Sequence, residues 1–145
     1  MESDVGLTHV ALVVSNLDAS IAFYAEYAAM QVVHDRHDDD ARVAWISDLT
    51  RPFVVVLAQG PASERPLGPF SHLGVGCESR EVIDARCEHA READCLVAGP
   101  TDSGPPIGYW AFLRDPDGHT LELSYGQDIA FTVDARYRDG LSYFG

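Results

Sequence analysis

Lysine is missing altogether: all ten basic residues of this 145-residue chain are arginine. That absence excludes Schiff-base catalysis and the lysine of a phosphate-gripping loop, and no Gly-rich phosphate loop is found either. Positive charge of any kind is scarce. The ten arginines face 23 aspartates and glutamates, a formal net charge of −13, which repels phosphate backbones and argues against a nucleic-acid partner. The plain meaning of such acidity is solubility. No apolar run approaches the roughly 18 residues of a membrane helix, so no membrane partner is expected. Cysteine is sparse. Cys77, Cys87 and Cys95 are odd in number and form no CxxC, which reads as reduced thiols in a cytoplasmic protein. The opening MESDVGLTH has neither a basic nor a long apolar stretch, so no secretory signal is expected. No Ser-His-Asp or Cys-His pair stands out.

What the chain does contain is a repeat. Residues 7–14, LTHVALVV, match 70–77, FSHLGVGC: an apolar residue, a hydroxyl, a histidine, then an apolar run. A polar helix start follows each, Asn16 or Asp18 in the first case and Ser79 in the second, because such side chains accept from the unpaired N–H groups of a first turn. Later, VAWISD (43–48) matches WAFLRD (110–115), and FVVVLA (53–58) matches HTLELSY (119–125). Residues 31–37 and 95–99 supply the remaining strands. Asp115-Pro116-Asp117-Gly118 reads as a strand connection, with proline and glycine at the positions whose backbone angles they suit. Each unit is therefore β-α-β-β-β: module 1 at about 5–58, a Pro/Gly-rich linker at 59–69, module 2 at about 70–126, and a tail at 127–145. At 46% hydrophobic the composition suffices for an ordinary core. The expected fold class is α+β, one domain in which two βαβββ modules form a curved mixed sheet with helices on the convex face and an open concave one.

Alternate strand residues point to opposite faces. Val10, Leu12 and Val14 form the helix side of the first strand, leaving His9, Ala11 and Val13 on the open side. By the same rule His72, Gly74 and Gly76 share the open side, as do Thr120, Glu122 and Ser124. A carboxylate in an apolar strand is costly unless paired or bound to a cation. Two imidazoles and one carboxylate form the set suited to Fe(II), with Mn(II), Zn(II) and Ni(II) as the other candidates. His9, His72 and Glu122 are thus the candidate metal ligands, and a metal-free polar network is the competing reading. Trp45, Val56, Trp110 and Phe112 are candidates for lining a substrate pocket, in a face otherwise expected to be uncharged apart from Arg114. His34, Asp35, His37 and Asp38–Asp40 read as a solvated hairpin turn. His119 is assigned no chemistry.

LTHVALVVSNLDASIAFYAEYAAM, FSHLGVGC and YWAFLRDPDGHTLELSYG together resemble the vicinal-oxygen-chelate superfamily of glyoxalases, bleomycin-resistance proteins and extradiol dioxygenases, over roughly residues 6–126. By position the resemblance implies His9, His72 and Glu122 as metal ligands, a small-molecule substrate and a homodimer. Glyoxalase I enzymes add a glutamate on the fourth strand of the first module, where this chain has Val55 or Val56, so that activity is disfavoured. Extradiol dioxygenases share the two-His-one-Glu set but place a tyrosine where Phe112 stands. The leading expectation is a metal-dependent, oxygenase-type or lyase-like enzyme on a small apolar or aromatic molecule. The alternative is a metal-free, bleomycin-resistance-like protein that sequesters its ligand.

Overall fold

A computed structural model describes residues 4–130 and 132–136. Its elements follow the order β1 (His9–Val14), α1 (Leu17–Ala28), β2 (Gln31–Asp38), β3 (Ala41–Ser47), β4 (Val54–Gln59), β5 (Leu73–Gly76), α2 (Arg80–Glu92), β6 (Leu96–Asp102), β7 (Tyr109–Arg114) and β8 (Thr120–Tyr125). This is βαβββ twice over. The strands make two four-stranded mixed sheets, ordered β1-β4-β3-β2 and β5-β8-β7-β6. In each the first strand of the module runs parallel to the last, while β2–β3, β3–β4 and β6–β7 pair antiparallel. Of the tail, residues 129–130 and 132–136 are helical, and 137–145 lie outside the described residues. Among the described residues no helix is long and apolar enough to cross a membrane.

The chain divides into two units. One takes the chain up to His72 together with Arg114–Thr120; the other takes Leu73–Leu113 and the chain from Leu121 on. In the first, α1 starts where the Asn16 side chain accepts the Ala19 N–H at 3.1 Å. It stops at Ala29, whose left-handed φ of 54° turns the Met30 N–H back to Tyr24 O. α1 packs on β2, β3 and β4, and Leu17, Phe23, Tyr24 and Tyr27 are buried, as are Leu12, Ala44, Ile46, Val55 and Leu57. The turn between β7 and β8 belongs to this unit. There Asp115, only 3% exposed, accepts the Tyr24 hydroxyl at 2.8 Å and the backbone N–H groups of Asp117 and His119 at 2.9 Å each. Burial and the Asp115 carboxylate push the Tyr24 hydroxyl pKa far above its ordinary value.

In the second unit Ser79 accepts the Val82 N–H at 3.2 Å and starts α2. Glu81 in the first turn and His89 and Arg91 in the last suit the helix dipole. α2 packs on β6, and Ile83, Cys87 and Ala90 are buried, as are Ala111, Leu113, Leu121 and Leu123. Fully burying a leucine such as Leu121 or Leu123 contributes roughly 1.5–3 kcal/mol.

The segment His34–Asp40 departs from the expected turn. β2 continues to Asp38, paired opposite Ala41, so only Asp39 and Asp40 form the loop. A two-residue hairpin loop is the tightest connection an antiparallel pair allows, and it draws the neighbouring polar residues into the ladder. Arg42 bridges Asp18 at 2.8 Å and Asp35 at 3.4 Å, while Arg36 meets Asp38 at 2.8 Å, offsetting the like charges.

Candidate functional site

Strand register in the first sheet sets its open face. Ala11 lies beside Val56, Val56 across from Trp45, and Trp45 across from His34, so these four side chains form one row over all four strands. His9 lies beside Val54 one rung away. The opposite face, with Val55, Leu57, Ala44 and Ile46, is the buried one. Trp45 is 42% exposed and its ring stands against that of His34, centroids 5.0 Å apart. His34 therefore belongs to the open face rather than to a turn. The polar composition of the segment reads as a loop, and the register slips by one residue between Val32 and His34, which breaks the alternation as well.

At the His9 end of this face lies a cleft of about 590 Å³ lined by His9, Trp45, Arg51, Phe53, Val54 and Val56 among others. Trp45 and Val56, expected to line a pocket, share it with His9. Arg51 corrects the expectation of an uncharged lining: the β3–β4 loop brings an arginine to the cleft. The His9 Nδ1 lies 2.9 Å from the Thr8 hydroxyl. The His72 Nδ1 lies 2.9 Å from Pro69 O. A carbonyl only accepts, so the His72 Nδ1 donates to it, as the non-ligating nitrogen does in metal-bound imidazoles.

In the second sheet Glu122 lies beside Gly74. A Cβ at residue 74 would meet the Glu122 carboxylate at 3.4 Å, an ordinary van der Waals contact. Trp110 and Phe112 alternate with buried Ala111 and Leu113. Their rings lie 4.8 Å apart, and the Trp110 indole N–H donates to the Ser103 hydroxyl at 2.8 Å. None of His9, His72 and Glu122 is among the buried residues of either core. Among the described residues, no three His, Cys, Asp or Glu side chains are grouped as a metal site would require. His119 is buried and structural: its Nδ1 accepts the Leu67 N–H at 2.9 Å and its Nε2 lies 3.1 Å from Val13 O.

The registers also decide between Val55 and Val56. Gly74, two residues after His72, pairs with Glu122; Ala11, two residues after His9, pairs with Val56. Val56 is therefore the counterpart of Glu122 in the repeat. The first module carries a valine where the second carries a carboxylate.

A twice-repeated βαβββ unit with this spacing of histidines and glutamate defines a class, and sequence comparison agrees with it. The Glyoxalase/Bleomycin resistance protein/Dioxygenase superfamily model matches residues 6–123, and the chain belongs to that superfamily. It is 37% identical over 126 residues to an uncharacterized protein of Pseudomonas aeruginosa, spanning 85% of this chain and 90% of that one. It is 31% identical to a probable lactoylglutathione lyase of Vibrio parahaemolyticus, spanning 81% of this chain and 88% of the relative. The trypanothione-dependent glyoxalase I of Leishmania major has the same fold, with a TM-score of 0.71, 22% identity and coverage of 96% and 99%.

Proposed function

We propose that this protein is a metal-dependent vicinal-oxygen-chelate enzyme acting on a small apolar or aromatic molecule seated over the open face of the first sheet. The observation that carries the reading is the cleft in which His9 shares a wall with Trp45, Phe53, Val54 and Val56. An apolar wall of this kind favours a ring or alkyl body at roughly 25 cal/mol per Å² of ligand surface buried. His9, His72 and Glu122 would hold a divalent ion, with Fe(II) the first choice on ligand type. The donor types suit such an ion: two imidazoles, one of them with its Nδ1 proton committed to a backbone carbonyl, and one carboxylate outside the buried cores. Bound there, the ion would act as a Lewis acid and a template for two neighbouring oxygens of the ligand. The Thr8 hydroxyl and Pro69 carbonyl orient the two imidazoles; Trp45 and Val56 position the ligand body and exclude water from it.

Oxygenase-type chemistry stands first because three protein ligands leave adjacent positions open to substrate and a second reactant. Lactoylglutathione lyase activity, named for the Vibrio relative, ranks lower. That reaction moves a proton and calls for a second carboxylate, and Val56 occupies the place where one would stand. The second reading is a metal-free protein that sequesters its ligand in the same cleft. We further propose a single functional domain, a homodimer and a cytoplasmic location. Thermal-shift titration with catechols, hydroxy-ketones and organic phosphates, with metal present, tests the lead reading. Stabilisation by the oxygen-chelating apolar compounds is expected; stabilisation by the phosphates alone would overturn it.

A further inference from the structure

The β3–β4 loop places an arginine on the lining of a mostly apolar cleft. Its backbone is fixed by its own side chains: Ser47 Oγ accepts the Leu49 N–H at 3.0 Å, and Asp48 accepts the Thr50 N–H at 2.9 Å and the Thr50 hydroxyl at 2.6 Å. The Phe53 N–H closes on Arg51 O at 2.8 Å. Leu49 is held at φ 63°, a left-handed conformation that costs a branched side chain about 1 kcal/mol or more and that persists only where surroundings enforce it. The loop is thus a built feature rather than a slack connection. It brings Arg51 and Phe53 to the lining of the same cleft as Trp45. Among the described residues, no carboxylate forms an ion pair with Arg51. The other charged group on the lining is Asp4.

We infer that Arg51 fixes a single anionic group, a carboxylate, on a ligand whose aromatic body lies against Trp45 and Phe53. This deepens the proposed function and rests on the cleft being its ligand site. A planar guanidinium matches a carboxylate with two parallel N–H donors, which sets orientation as well as affinity. One arginine in a chain of net charge −13 suits a monoanion and disfavours polyanions, whose approach the overall field would slow.

Naphthoate and its uncharged counterpart naphthylmethanol test the inference on the full-length protein, followed through the indole N–H resonance of Trp45. Naphthoate is expected to bind about tenfold tighter than the alcohol in the wild type. Arg51→Gln should bring the two within about twofold by weakening naphthoate alone, because the lost interaction is the charge-assisted one. Arg51→Lys should retain part of the preference, and Asp4→Asn should strengthen naphthoate binding. A preference that survives Arg51→Gln overturns the inference, since a metal or another group would then hold the carboxylate. Equal binding of both probes to the wild type also overturns it, while leaving the cleft as a ligand site. If neither probe moves the Trp45 resonance, the inference and the proposed function fall together.

Discussion

Replacing Tyr24 with phenylalanine isolates the interaction that ties the β7–β8 turn to α1. The ring stays, with its edge-on contact to Phe23 at 5.1 Å between centroids; only the hydroxyl is removed. Asp115, nearly inaccessible to water, then loses one of its three donors and keeps the N–H groups of Asp117 and His119. A hydrogen bond to a buried charged acceptor is worth roughly 1.5–3 kcal/mol. With a urea dependence of about 1–3 kcal/mol per molar, the midpoint should fall by roughly 1 M. The pH dependence provides a second readout. The folded Tyr24 pKa is raised above the unfolded value, by burial first and Asp115 second. Its contribution is therefore complete below about pH 10 and declines above it, as the unfolded tyrosine ionises and the folded one does not. The wild type should lose about 1.4 kcal/mol per pH unit from this group above pH 10, and Tyr24→Phe should not. The two stability curves should therefore converge. Urea midpoints that differ by less than about 0.2 M, or curves that stay parallel between about pH 10 and 11, would refute the reasoning.

Other outcomes follow from single positions. Gly108 has φ 83°, and a Cβ there would run into the Tyr125 carbonyl and the Gly126 backbone; Gly108→Ala should cost at least about 2 kcal/mol in urea unfolding. Gly74→Ala meets only an ordinary contact at 3.4 Å and should shift stability by less than about 1 kcal/mol. The Cys87 thiol is pushed up to about 11 by burial, aided by the Asp84 carboxylate. Native protein at neutral pH should therefore keep Cys87 unmodified by iodoacetamide over hours, as mass spectrometry of the digest would reveal, because only the thiolate reacts.

Strand alternation and the repeat were enough to read the βαβββ order and both helix starts. These features are local, governed by period-two patterning and capping chemistry. What escaped was whatever depends on partners distant in sequence. The acidic run around Asp35–Asp40 resembles a loop by composition, yet pairing with β3 makes most of it strand. The Asp115–Tyr24 bond joins residues 91 positions apart, and the DPDG motif announces the turn without its partner. Arg51 reaches the cleft because Ser47 and Asp48 shape the loop behind it, a geometry that residue types alone do not specify. Val56 emerged as the counterpart of Glu122 only from two strand registers compared side by side.

The measurement that bears most directly on the account is the metal content of protein purified without a histidine tag, wild type beside Glu122→Gln, by elemental mass spectrometry after dialysis against Fe(II), Mn(II), Zn(II) or Ni(II). The substitution keeps shape and removes the charge. If His9, His72 and Glu122 are ligands, the wild type should retain close to one ion per chain, and Glu122→Gln should retain at least about tenfold less affinity for it. Equal metal content in the two proteins, or no retention in either, would contradict the metal-dependent reading and leave the ligand-sequestering one.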